Sequence, residues 1–404
     1  MSGTGVDQAQ PRPMPVVPGP AEPGAAARGT WLERLRDWRH RTVARPGFQR
    51  WAAAFPLTRP VARREAMALF DLVAGFVYSQ VLLACVRLNI FDLLAPGPMA
   101  AADLAERLGL GVEGAERLVA AAVAIELLER RSGGRVALGR LGAPMVGNRA
   151  IASMVEHHAT LYADLSDPVA LLRREGRPAM AGYWPYEAAA SSQLESPAAL
   201  LPERVAEYSA LMSASQPLVT REVVAAYRFD RHRRLLDVGG GEGSFITAVA
   251  AQAPQLQLML FDLPAVAERA RVRLAANGLG QRASTHGGDF FNDELPRGAD
   301  IVSLVRVAFD HPDERVLRLL QRVRRALPDD GTLLLAEPMA QVPGVEAMGD
   351  AYFGFYLLAM GRGRPRTAAQ LSALMEQAGF EPARVVPTHQ PLQTSVLVAR
   401  CRAA

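Results

Sequence analysis

The feature that most constrains this chain is the run LLDVGGGEGSF at residues 235–245. A short apolar stretch ends at Asp237-Val238, breaks into Gly239, Gly240, Gly241 and Gly243, and gives way to a helical pattern. Glycines at such a turn let a ligand approach the backbone at the carboxyl end of a buried strand. The frame is not the phosphate-cradling GxxxxGK[ST], which excludes a P-loop, and it lacks the sixth-place glycine of GxGxxG. Further apolar runs follow in LQLMLFDL, ADIVSLVRV and TLLLAEP, most of them leading into a helical stretch. Alternation of this kind predicts a parallel sheet covered on both faces. ARVVPT and SVLVAR read as a terminal hairpin on its edge.

Two carboxylates recur at the strand ends. Asp262, in FDLP, lies 23 residues past Gly239, where an acid accepts both ribose hydroxyls of a nucleoside. Its alternative reading is a helix N-cap ahead of Leu-Pro. Asp289, in HGGDFF, ends the next strand and suits an adenine amino group, with Phe290 against the ring.

Upstream, residues 1–28 are rich in Pro, Ala and Gly and read as a disordered tail. Residues 29–65 form a basic arm. Between 28 and 64 ten Arg face two acids, an excess of eight positive charges in a chain whose formal charge is only +4. Trp31, Leu32, Leu35 and Trp38 share one helical face, with Arg34, Arg36, Arg39 and Arg41 mostly around the other. That pattern suits a helix lying on an anionic membrane, or an arm on a partner subunit. Residues 66–150 read as short helices, EGAERLVAAAVAIELLERR among them, and a Gly-Gly hairpin, a winged-helix-like unit. Glu113, Glu116 and Glu126 on its second helix argue against nucleic acid. Residues 151–228 read as a helical linker and acceptor-binding region, and 229–404 as the sheet domain.

All 45 basic side chains are Arg, so Lys chemistry is excluded. Cys85 and Cys401 have no metal-like spacing, and no metal is expected. No uninterrupted apolar run reaches the ~18–20 residues that cross a bilayer. The first thirty residues lack the apolar stretch of a signal peptide. The expected compartment is therefore cytoplasmic.

The set DVGGGEG, FDLP, GGDFF and LLLAEP resembles the S-adenosylmethionine-dependent O-methyltransferases of the plant caffeate/hydroxyindole type, and LACVRLNIFDLLAPGPMAAADLAERLGLGVEGAERLVAAAVAIELLER resembles their dimerisation domain. The resemblance implies a doubly wound, Rossmann-like α/β sheet behind a mostly helical, winged-helix-like dimerisation domain, S-adenosylmethionine as cofactor, and a homodimer. Within the family, FQRWAAAFPLTRPVARR, MVEHHATLYADLSDPVALLR, SLVRVAFDH and DAYFGFYLLAMGRGRPR resemble bacterial members that methylate the tertiary hydroxyl of an acyclic 1-hydroxy carotenoid. This implies a hydrophobic carotenoid substrate and a location peripheral to the cytoplasmic face of a photosynthetic membrane. A phenolic or polyketide acceptor is the alternative, with a non-catalytic cofactor-binding regulator behind it. By the resemblance, Gly239 and Gly241 border the methionine part of the cofactor, Asp262 the ribose, Asp289 and Phe290 the adenine, and Met212 clamps the substrate. Arg306 falls one residue past the family's cofactor-contacting Lys.

Two departures stand out. The family's general base, a His in HDW, is here Phe309 in Phe309-Asp310-His311. The Glu of GGKERT that orients it is here Pro365, in RGRPRT, whereas Glu337 matches the other orienting Glu. An aliphatic tertiary alcohol is far less acidic than a phenol, so its proton leaves during or after methyl transfer. His311, His157 and His158 are the candidate replacement bases. The row from Tyr352 to Met360, with Phe355 and Met360 as substrate contacts, suits a long apolar acceptor.

Overall fold

The computed structural model describes residues 30–182, 216–392 and 394–403. Met212 lies outside the described residues, as does the tail at 1–28. The chain divides into a unit ending at Ser79 and a second unit from Gln80 onward.

In the first unit, helix α1 (Trp31–Val43) opens on a capping box in which Thr30 and Glu33 satisfy each other's backbone N–H groups. It buries no residue: Trp31 is 69% exposed and Trp38 60%. Helix α2 (Pro46–Ala54) starts on proline, whose fixed φ suits a first helical turn, and Trp51 stacks on Phe55 at 5.1 Å. Helix α3 (Arg59–Arg87) is one continuous helix through the expected boundary at 65/66. It is long and apolar enough, by length and composition, to cross a membrane, which corrects the expectation from counting apolar residues. Gly75, Asp71 and Ser79-Gln80 interrupt the count without interrupting the helix. Its Met67, Leu69, Phe70, Leu72, Val73 and Phe76 are exposed.

The second unit begins with a small helical domain. Helices α4 (Ile90–Leu94), α5 (Ala101–Leu108) and α6 (Val112–Ala124) pack with strands β1 (Met99–Ala100), β2 (Leu128–Arg131) and β3 (Arg135–Leu138), in the order β1-β3-β2. The hairpin turns at Gly133-Gly134 as expected. The helix read through LLERR, however, stops at Ala124. Glu126 adopts positive φ, and Leu128–Arg131 pairs with β3 instead, because tertiary pairing outweighs helix propensity there. On α6, Glu113 and Glu116 are ion-paired to Arg117 and Arg130.

Helices α7 (Arg149–Asp164) and α8 (Pro168–Arg173) lead on to a seven-stranded sheet. Its strands are β4 (Arg234–Val238), β5 (Gln257–Asp262), β6 (Ala283–Gly287), β7 (Ile301–Val305), β8 (Thr332–Glu337), β9 (Arg384–Val386) and β10 (Ser395–Arg400), in the order β6-β5-β4-β7-β8-β10-β9. β4 to β8 run parallel, while β10 is antiparallel to both β8 and β9. The terminal hairpin thus inserts its second strand next to β8 and leaves β9 at the edge.

Alternate residues go to opposite cores, as a two-residue period requires. Leu236, Val302, Leu304, Leu333 and Leu335 join one hydrophobic cluster, and Leu235, Ile301, Val305, Leu334 and Ala336 the other. β6, ASTHG, is only partly covered and carries almost no apolar signal. The order reverses at β4, between β5 and β7, which is where open α/β sheets bind ligands.

Candidate active site at the carboxyl ends of the strands

The glycine turn leaves β4 at this switch point. Gly239 takes φ +71°, and a Cβ there would lie 2.7 Å from Val307 Cγ2. Only glycine meets both conditions without strain. The Gly241 N–H donates to Asp262 Oδ2 at 2.8 Å, and the Leu263 N–H donates to Asp262 Oδ1 at 2.7 Å. The Asp262 carboxylate thus ties the turn to the end of β5. It is not the N-cap of the following helix, Pro264–Ala276, whose cap is Leu263. Burial pushes Asp262 up to about 6.

Asp237 is a candidate site residue that pattern reading passed over. Its Oδ1 accepts a 2.6 Å bond from Ser303 Oγ, while its buried Oδ2 has no hydrogen-bond partner in the structure. Burial, helped by the charge of Asp262, pushes its pKa up to about 7. A buried carboxylate oxygen without a partner is costly, and a cationic ligand relieves that cost. The sequence signal was present: an acid ending a buried strand directly ahead of a glycine turn.

Asp289 Oδ1 accepts from the Phe291 N–H and Oδ2 from Asn292 Nδ2, so its carboxylate already organises its own turn. Phe290 is half-buried and reaches within 3.8 Å of a Cβ placed on Gly239, beside the turn. Arg306 follows β7 with φ +60°, a strained conformation of the kind that clusters at functional sites. Its backbone N–H donates to the Ala336 carbonyl at 2.8 Å.

The segment after β7 separates Phe309 from His311. Residues Ala308–Asp310 form a single tight turn, and His311 is extended. Phe309 enters an apolar cluster with Leu161, Leu171, Met180, Tyr356, Leu357 and Met360, against which Tyr352, Phe353 and Phe355 also pack. His311 goes elsewhere. It is 3% exposed, edge-on to Phe291 at 4.8 Å and to Phe290 at 5.9 Å. Burial, with the nearby charges of Arg315, Arg362 and Arg366, pushes it down to about 3. His311 thus packs against Phe290 and Phe291, apart from the acceptor cluster that Phe309 enters. This geometry argues against the base role considered for His311.

Glu337 keeps its place at the end of β8 but orients no imidazole. It is buried, its Oε2 accepts from the Phe309 N–H at 3.1 Å, and burial pushes its pKa up to about 8. The RGRPRT stretch grips the same segment from the far side. The Arg364 N–H donates to the Phe309 carbonyl at 3.0 Å. Arg366, fully buried, donates to the carbonyls of Ala308 (3.0 Å) and His311 (2.6 Å) and to Asp313 Oδ1 (2.8 Å). A Cβ on Gly363 would lie 2.0 Å from the Phe309 carbonyl. A backbone clamp therefore stands where the family places a His–Glu pair.

On the acceptor side, α7 presents two adjacent histidines to two tyrosines. His158 Nε2 lies 2.8 Å from Tyr352 Oη, and His157 Nε2 lies 3.0 Å from Tyr356 Oη. Residues Ala347–Phe353 form a π-helical stretch that runs directly into helix Gly354–Ala359, so Tyr352 and Tyr356 stack side by side at 5.9 Å. Single π turns of this kind are frequent at functional sites. Met360 is buried and Phe355 half-buried in the same cluster.

Comparison with known proteins identifies the family. The O-methyltransferase domain profile matches residues 162–381, and the O-methyltransferase dimerisation domain profile matches residues 70–154. The chain belongs to the S-adenosylmethionine-dependent O-methyltransferases. It is 44% identical to the demethylspheroidene O-methyltransferase of Cereibacter sphaeroides over 352 residues, covering 87% of this chain and 91% of that protein. The enzyme of the same name from Rhodobacter capsulatus is 40% identical over 344 residues, covering 85% of this chain and 84% of that protein. Among solved structures, LaPhzM is similar with a TM-score of 0.67 at 26% identity, over 83% of this chain and 99% of that one. CalO1, a methyltransferase in calicheamicin biosynthesis in its SAH-bound form, is similar with a TM-score of 0.65 at 26% identity, over 84% of this chain and 98% of that one.

The residues present fit S-adenosylmethionine. Gly239 and Gly241 would leave the backbone open to it, Asp237 Oδ2 would offer an acceptor to its ammonium group, and Asp262 and Phe290 would border its nucleoside. Replacing Asp237 by Asn should weaken S-adenosylmethionine binding by about 10- to 100-fold, the worth of one charged hydrogen bond. In the wild type, affinity should fall as pH drops from 8 to 6, because protonation of Asp237 removes the charge that a cation favours. Isothermal titration calorimetry of both proteins across that range checks the loss and the flattened slope. A second expectation concerns the clamp. Arg366→Ala should cost about 1–3 kcal/mol in urea unfolding, because it removes a buried donor from the carbonyls of Ala308 and His311.

Proposed function

We propose that this enzyme transfers the methyl of S-adenosylmethionine to the tertiary hydroxyl of an acyclic 1-hydroxy carotenoid of the demethylspheroidene or hydroxyneurosporene kind. The observation that carries the reading is Phe309, a phenyl ring in the base position, buried in an aliphatic and aromatic cluster. A phenol is acidic enough to give its proton to an imidazole base. A tertiary alcohol gains little from one and needs a dry, apolar bed that aligns its oxygen with the methyl carbon.

The cofactor, when bound, supplies a methyl on a cationic sulfur, and transfer leaves a neutral sulfide. The chain's part is to hold the two reactants in line. Val307, in contact with the glycine turn, and Phe309, two residues on in the acceptor cluster, join the two sides through one short segment. The clamp from Glu337, Arg364 and Arg366 keeps that segment from shifting.

A carotenoid is dissolved in lipid, and the arm at 29–65 accounts for access to it. Trp31, Leu35 and Trp38 are exposed along α1, in a stretch carrying an excess of eight positive charges. This reading docks the arm on the anionic, cytoplasmic face of a photosynthetic membrane. The exposed Phe70, Leu72, Val73 and Phe76 of α3 fall inside the dimerisation-domain match. A second copy of the chain is therefore taken as their cover, which makes the enzyme a homodimer.

The acceptor is tested by incubating the protein and S-adenosylmethionine with a detergent-dispersed 1-hydroxy carotenoid beside catechols and flavonoids. A gain of one methyl on the carotenoid alone is expected by mass spectrometry. A gain on phenols alone defeats the reading. For the arm, Trp31→Ser, Trp38→Ser and Trp51→Ser together should reduce flotation with anionic vesicles about tenfold or more. Unchanged flotation would remove the membrane role from this segment.

A further inference from the structure

The His–Glu pair is broken in this chain, yet the methylated oxygen must still lose its proton. Among the described residues, two His–Tyr pairs stand on the acceptor side outside the clamp, and they are not equivalent. Tyr352 lies where the charge of Arg306, the residue directly after β7, acts on its hydroxyl. Val307, next in the chain, abuts Gly239 of the cofactor turn. Tyr352 also packs edge-on against Phe353 at 4.9 Å, and Phe353 against Phe309 at 6.1 Å. Tyr356 sits deeper: it is 8% exposed, whereas Tyr352 is half-buried. Of the two tyrosines, Tyr352 is therefore the more exposed and the one on which the charge of Arg306 acts.

We infer that Tyr352 receives the hydrogen bond of the acceptor hydroxyl and that His158, bonded to it at 2.8 Å, accepts the proton through it. This deepens the proposed function and rests on its alcohol acceptor. As the O–CH3 bond forms, the S–CH3 bond breaks and its electron pair stays on the sulfide. The oxygen, briefly carrying three bonds, passes its proton to Tyr352 Oη. The proton already on Oη moves to His158 Nε2, and the resulting imidazolium releases it to water.

The chemistry asks little of the pair. A protonated ether is a strong acid, so any neutral imidazole in reach is basic enough to take its proton. Burial lowers the pKa of His158, which keeps its ring neutral, and raises that of Tyr352 to about 12, which keeps its hydroxyl protonated. Both are thus in the required state at neutral pH. Neither has to ionise before the acceptor binds. A phenol enzyme needs a base matched to its substrate, whereas here alignment of a weak pair suffices.

The test uses the full chain with the carotenoid alcohol, comparing wild type with Tyr352→Phe, His158→Phe and His158→Gln. S-adenosylmethionine affinity and thermal unfolding are measured alongside. Tyr352→Phe and His158→Phe should each lower kcat about 100-fold or more, with acceptor KM and cofactor affinity within about threefold. His158→Gln, which can still bond the hydroxyl but is a far weaker base, should likewise leave KM within about threefold and lower kcat about as far as His158→Phe. Retention of kcat within about threefold in Tyr352→Phe would overturn the inference, as would a loss confined to KM. If the wild type does not methylate the alcohol at all, the acceptor reading falls, and this inference with it. If the wild type turns over and the variants match it, only the inference falls.

Discussion

The hydrogen bond from the Gly241 N–H to the Asp262 carboxylate is the constraint on which the cofactor side rests. A turn of four glycines has little reason of its own to hold one shape, since glycine gives up the most conformational freedom on folding. The carboxylate at the end of β5 supplies that reason, and Val307 sets a wall behind Gly239. Two acids, Asp237 and Asp262, are drawn together by this arrangement at the ends of adjacent parallel strands. Burial raises both pKa values, and the charge of Asp262 adds to the rise at Asp237. That cost is offset only when something cationic arrives. A cationic sulfonium cofactor with an ammonium group meets the need on both counts.

The acceptor side is organised differently. No ionised group is placed at the family's base position. The chain instead fixes Phe309 by its backbone, through Glu337 on one side and Arg364 and Arg366 on the other. Glu337 Oε2 accepts from the Phe309 backbone N–H instead of an imidazole. The consequence is an apolar floor of defined position, suited to a substrate with one polar atom at the end of a hydrocarbon chain.

Much of this was legible in the sequence. The strand C-termini at Asp237, Asp262 and Glu337 announced themselves as short apolar runs ending in acids. The β2–β3 hairpin was legible in Gly133-Gly134. What misled was counting by type: α3 was missed as one long helix because Asp71, Gly75 and Ser79 break its apolar run but not its backbone pattern. LLERR was read as helix because its propensity is helical, although pairing with β3 decides its state. β6 was faint because a sheet-edge strand of Ser, Thr and His buries little.

The sequence by itself determined the class of fold, the cofactor turn and the absence of the usual base. The first two follow from residue type and spacing within a short stretch, and the third from the family's motif set against Phe309 and Pro365. Only the tertiary structure decided where the neighbouring side chains went. His311 and Phe309 are two residues apart, yet one turn sends His311 among Phe290, Phe291 and Arg315 and Phe309 into the acceptor cluster. His158 and Tyr352 are 194 residues apart and meet at 2.8 Å. No local pattern encodes that meeting, because it depends on a π turn before Gly354 and on how α7 packs against it.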